Sequence, residues 1–194
     1  MLFYDVKTIL GIVAVIMTFV GYVPYISSIV KGKTKPHIYS WLVWSLDAFI
    51  IFILQITHGA GTGAFVTLAA GLMCSTVLVL TFIRKNKSAI TTTDTTFLIF
   101  ACIALAVWLF AKQPLISALL ITLVDALGFI PTIRKSWIKP YSENITFYII
   151  ITIRFAFALI AVQNYSIITL LYPGVWFVAN GLFLIMLTIR RKTV

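Results

Sequence analysis

The sequence predicts an all-α integral membrane protein of seven transmembrane helices, arranged as two parallel three-helix bundles joined by an inverting fourth helix. Three observations carry the prediction. The chain is 61% hydrophobic and 10% charged, with a mean hydropathy of +1.08, whereas soluble domains are nearer half apolar and a quarter charged. Its apolar residues gather into segments close to the ~20 residues needed to cross a bilayer. A passage near the start, "GYVPYISSIVKGKTKPHIYSWLVW" (Gly21 to Trp44), returns in altered form as "GFIPTIRKSWIKPYSENITFYII" (Gly128 to Ile150).

Span one is Thr8–Val30, with Pro24 inside it and Lys31, Lys33 and Lys35 behind it. The preceding Met1–Lys7 carries Asp5, and no small-residue cleavage site follows the first apolar run, which argues against a cleaved signal peptide. Span two, Ile38–Thr57, is headed by Trp41 and Trp44 and ends at the turn "HGAGTG". Span three, Gly63–Ile83, stops at Arg84, Lys85 and Lys87, and the polar connector "SAITTTD" leads to span four, Thr95–Ala111. After "KQP" come span five, Pro114–Ile133, and the basic residues Arg134, Lys135 and Lys139. Span six, Ile145–Val162, turns through "QNYS" into span seven, Ser166–Ile189, and Arg190, Arg191 and Lys192 close the chain.

Basic residues thus fill every second loop, while the alternate loops carry at most one. By the positive-inside rule this places the N-terminus outside and the C-terminus in the cytoplasm. A net charge of +10 would suggest nucleic acid in a soluble protein. Here it sets topology and offers contacts to anionic lipid, so no nucleic-acid partner is expected. Cys74 and Cys102 fall inside spans and read as small apolar filler. The "NIT" sequon at Asn144 lies in a cytoplasmic loop, where it is not glycosylated.

Laying Gly21 on Gly128 and Pro24 on Pro131 aligns span one with span five. The pattern runs on through basic loops containing Lys-Pro (Lys35-Pro36, Lys139-Pro140), and spans three and seven both end in Ile-Arg. The chain therefore divides into a first repeat, 1–87, a connector and linker helix, 88–112, and a second repeat, 113–194. Span four gives both repeats the same orientation. Parallel repeats about an axis along the membrane normal form a transporter architecture with the solute site near the midplane.

Two three-helix bundles around an inverting helix, each with a proline near the cytoplasmic end of its first helix and a basic loop behind it, resemble the SWEET/PQ-loop superfamily. The expected Pro-Gln pair stands here as Pro24-Tyr25 and Pro131-Thr132. The chain is also similar to uncharacterised bacterial membrane proteins carrying "TKPHxxSWLxW" and "DALxxxPTxRKxW". The resemblance implies a bacterial inner-membrane carrier that alternates access by rocking two bundles. Pro24 and Pro131, each lacking an N–H and freeing a carbonyl one turn back, would be its hinges or, alternatively, static kinks.

Asp47, Asp125 and Arg154 are the ionisable residues inside spans, and each is costly there unless it faces the bundle interior. Asp47 is nine residues from Ile38, Arg154 nine from Ile145, Asp125 eight from Ile133, and Asn180 nine from Ile189. At 1.5 Å per residue all four lie about 12–14 Å from the cytoplasmic surface, in one layer near the middle of the bilayer. Asp47 and Arg154 occupy nearly equivalent repeat positions and invite a salt bridge, with a gate or a solute anchor as its function. Asp125 is left without a cation. A carboxyl group so buried favours its neutral form and suits proton exchange. The opposite pairing, Arg154 with Asp125 and Asp47 as the titrating group, stays open. Asn180 and Trp176 share one face of span seven, and a deep asparagine in that position resembles the sugar-contacting residue of SWEET proteins, although the first repeat has Cys74-Ser75 instead. Trp41 and Trp44, one turn apart, read as interfacial belt residues, with a stacking wall as the alternative. Their spacing resembles that of the vitamin-precursor permeases.

His37 and His58 lie at opposite faces and cannot share a metal. No lysine stands in span seven for a retinal Schiff base, and no span carries a histidine or a Ser–Lys pair, so neither a retinal protein nor an enzyme is expected. No cofactor is implied. The expected function is carriage of a small polar solute, bound by Asp47, Arg154, Asn180, Trp176 and Trp44 and coupled to protons at Asp125. A non-transporting receptor or scaffold of the same fold, or a vitamin-precursor facilitator, is the alternative. Homo-oligomerisation is left open by the sequence.

Overall fold

The computed structural model describes residues 2–32, 38–84, 92–111, 113–138, 140–143 and 145–193. Among these residues it is all-helical, with seven α-helices: α1 (Leu2–Val30), α2 (Ile38–Thr57), α3 (Ala64–Ile83), α4 (Thr92–Ala111), α5 (Pro114–Ile138), α6 (Ile145–Ala161) and α7 (Ile167–Thr193). Short 3₁₀ turns at Gly61–Gly63 and Pro140–Ser142 lead into α3 and α6. Three stretches are long and apolar enough to cross a membrane: Val6–Ser27, Gly61–Ile83 and Ile167–Thr193.

Polarity is distributed inside out. Val6, Ile9, Ile12, Ile16 and Val23 lie exposed along α1, and Val178, Leu182, Ile185 and Ile189 along α7, while Asp47, Gln55, Asp125, Arg154 and Asn180 are buried. An apolar exterior of this extent is a liability in water and the expected surface in hydrocarbon.

Within the first three helices, α3 packs on both α1 and α2, and within the last three, α7 packs on both α5 and α6. The two groups meet through α1 against α6 and through α2 against α5, and α4 lies against α2 and α5. Exchanging α1, α2 and α3 for α5, α6 and α7 leaves these pairings unchanged, apart from those of α4 and a contact of α2 with α7. Near one end, the turns of the two groups join by backbone bonds, Gln163 N–H to Ala60 O and Asn164 N–H to Gly59 O, both 3.0 Å. Lys7 Nζ donates to the carbonyl of Val162 at 2.8 Å, tying α1 to the end of α6.

Several helices outrun their expected bounds. α1 begins at Leu2, α7 continues to Thr193, and α5 extends to Ile138 rather than Ile133. Lysine and arginine are good helix formers, so the basic segments prolong the helices. The described part of α5 ends at Ile138, and a 3₁₀ turn begins at Pro140. Position 131 lies inside α5, and Pro24 lies inside an uninterrupted α1 with its ring exposed. Lys33, Lys35, Pro36, His37, Lys85, Lys87, Lys139, Asn144 and most of the "SAITTTD" connector lie outside the described residues.

Candidate functional site

The register that lays Gly21 on Gly128 also lays Thr18 on Asp125 and Asp47 on Arg154. These four residues occupy the two places where the bundles meet. On α2 and α5, Asp47 and Asp125 bring their carboxyl groups together. On α6 and α1, Arg154 Nη1 donates to Thr18 Oγ1 at 3.3 Å. All four side chains are buried, Asp47 and Thr18 completely and Asp125 and Arg154 to within 5%.

The expected salt bridge between Asp47 and Arg154 is not formed. Both oxygens of Asp47 are buried without a hydrogen-bond partner, as is Arg154 Nε. The pseudo-symmetry that suggested the pair is the reason it fails: equivalent positions lie at opposite inter-bundle contacts, each facing the first helix of the other repeat. Arg154 pairs with Asp125 no better, and instead lies over the Phe155 ring, 4.1 Å from its centroid. Asp125 accepts a hydrogen bond from Tyr172 Oη at 3.0 Å, and its other oxygen is buried and unpartnered.

α7 supplies a wall to this layer. Tyr172, Trp176 and Asn180 recur every four residues and so share one helical face. The Trp176 indole lies beside Asp125, with its Nε1 buried. Its ring stacks on Phe155 at 6.4 Å and 14°, and meets Phe129 edge-on at 5.4 Å. Asn180 donates to the Trp176 carbonyl at 2.7 Å, one turn back along its own helix. Trp44 reaches the far bundle, its Nε1 3.8 Å from where a Cβ on Gly128 would stand.

Trp41 is corrected from an interfacial belt to the bundle interior. It is 8% exposed and packs against Tyr22, Tyr25 and Trp44 with ring centroids at 6.2, 5.2 and 5.2 Å. Aromatic burial of this size outweighs anchoring at an interface. Cys74 is buried as expected, but its Sγ also lies 3.4 Å from Tyr22 Oη.

Thr18, Tyr22, Phe155 and Tyr172 join the layer without having been singled out from the sequence. Thr18 had a signal, since it is the repeat-mate of Asp125. Tyr172 had one too, standing a single helical turn before Trp176. Phe155 had none, because nothing in an apolar run distinguishes a ring that flanks a cation from one that faces lipid. No family model, curated protein or solved structure matches the chain.

Proposed function

We propose that this protein is a seven-span inner-membrane carrier of the SWEET/PQ-loop type, with its N-terminus outside and its C-terminus in the cytoplasm. It moves a small polar solute by rocking α1–α3 against α5–α7 about the layer of Asp47, Asp125, Arg154 and Asn180. One observation supports this reading above the others: ionisable groups, Asp47 with Asp125 and Arg154, are buried at the two contacts between groups of helices that pair in the same pattern. Burying ionisable groups without partners costs stability, and such groups inside membranes mark solute and ion paths. Two carboxyl groups at one buried contact offer a place for a proton to be bound and released as the bundles rock. Pro24 and Pro131 would let the first helix of each bundle bend during this motion.

Reconstitution in liposomes tests the reading. Wild type is expected to show saturable solute uptake that responds to a pH gradient, and Asp125→Asn to lose that response. The closed layer, with Asp47 0% and Arg154 5% exposed, equally favours a receptor that retains its ligand. Binding without flux would select that second reading.

A further inference from the structure

Pro173 stands buried inside α7 and has no N–H to give the carbonyl of Thr169, four residues earlier. A carbonyl so freed within a membrane needs a donor from elsewhere. It finds one in the other helix group: Gln55 Nε2, near the end of α2, donates to Thr169 O at 3.3 Å. Gln55 is 1% exposed and Thr169 0%, so the bond is shielded from water. On the other side of the amide, Thr67 Oγ1 of α3 donates to Gln55 Oε1 at 2.8 Å, which fixes the way the amide faces.

The internal register supplies a comparison. Aligning Ile83-Arg84 with Ile189-Arg190 lays Thr67 on Pro173 and Gly63 on Thr169, and the register of Asp47 and Arg154 lays Gln55 on Val162. The matched contact is present, since a Cβ on Gly63 would lie 3.0 Å from the Val162 backbone nitrogen. There the proline is replaced by threonine, which has an N–H, and the side chain opposite is apolar. The amide donor stands at the contact where proline has removed one, and not at its mate.

The same turn of α7 presents Tyr172, which immediately precedes Pro173. Tyr172 packs on the buried cluster that includes Ile51 and Leu54 of α2, and its Oη donates to Asp125 Oδ2 at 3.0 Å. We propose that Gln55 is a positioning residue. By capping the carbonyl that Pro173 leaves open, it clasps α7 to the first helix group and holds Tyr172 on Asp125. Closing this contact gives α7 its missing donor and Tyr172 its placement together, and opening it removes both. The clasp goes beyond the carrier reading and needs no solute.

Thermal unfolding of the full-length protein in detergent tests it by two double-mutant cycles. Gln55→Met, close in volume but without an amide, is expected to lower the melting temperature by about 2–4 °C. In the Pro173→Ala background, which returns an N–H to α7, the same substitution should cost less than about half as much. In the Tyr172→Phe background it should also cost less, because the bond it loosens is already gone. An equal cost in either background overturns the proposal, for a Gln55 that merely fills space is blind to both changes. Hydrogen exchange keeps the test decisive where Pro173→Ala folds poorly. Gln55→Met is expected to speed exchange of the amides of α7 before Pro173 by about fivefold or more, with the middle of α3 unchanged. Uniform acceleration, or none, overturns the proposal. Neither readout involves a solute: a protein that carries nothing leaves the clasp standing, and additive cycles sink the clasp without touching the carrier.

Discussion

Asp47 is fully buried, and neither of its oxygens has a hydrogen-bond partner. Such a residue lowers stability, because an unsatisfied buried acceptor costs about 1–3 kcal/mol. Asp47→Leu, which removes these oxygens, is therefore expected to raise the melting temperature in detergent while abolishing solute binding; a loss of stability would mean that the carboxyl has a structural partner. Arg154→Met should behave alike, since replacing an unpaired buried cation by an apolar side chain removes its desolvation cost. Tyr172→Phe has the opposite sign. It strips Asp125 of its 3.0 Å hydrogen bond and should cost about 1 kcal/mol by the same measurement. The sequence revealed which charged residues are buried, because a charge inside an apolar run has nowhere else to be. It did not reveal their partners. Pairing depends on which helices are neighbours in space, and depth alone is silent on that.

The turns that join helices carry the next level of specificity. Gly59 and Gly61 have φ of 78° and 59°, and a Cβ on Gly61 would collide with the Gln163 side chain. Gly61→Ala thus meets a left-handed backbone and obliges the flexible end of Gln163 to move, and should cost about 1–2 kcal/mol of stability. Gly32→Ala supplies the control: its φ is 69° and nothing lies within 4 Å of its Cβ position, so it should show the backbone cost alone, at the lower end of that range. Both are read by thermal unfolding. Helix existence was plain in the sequence, and α2 falls on its expected bounds of Ile38–Thr57. Helix ends were less so. Hydropathy marks where a segment leaves hydrocarbon, whereas the helix itself runs on through Arg134 and Lys135 to Ile138. The contact between 59–60 and 163–164 had no sequence signal, since both turns read only as short polar links.

For the whole molecule, the inverted distribution of polarity and the alternating basic loops make a topological prediction. With Cys102 replaced by serine and Cys74 buried, Tyr165→Cys should react with an impermeant thiol reagent applied to intact cells. Lys192→Cys should react only after permeabilisation. The reverse pattern would overturn the proposed orientation. The recurrence of glycine, proline and Lys-Pro in order was legible in the sequence. That α1 packs on α6 and α2 on α5 emerged only with the fold. That arrangement bears on ancestry. Two identical three-helix chains in a symmetric dimer would place the same residue at positions 47 and 154, giving two aspartates or two arginines, and likewise matching residues at 18 and 125. Opposite charges at matched positions exist only where the two halves are free to diverge. Divergence is then what allows a scaffold of paired helix groups to have a direction across its centre.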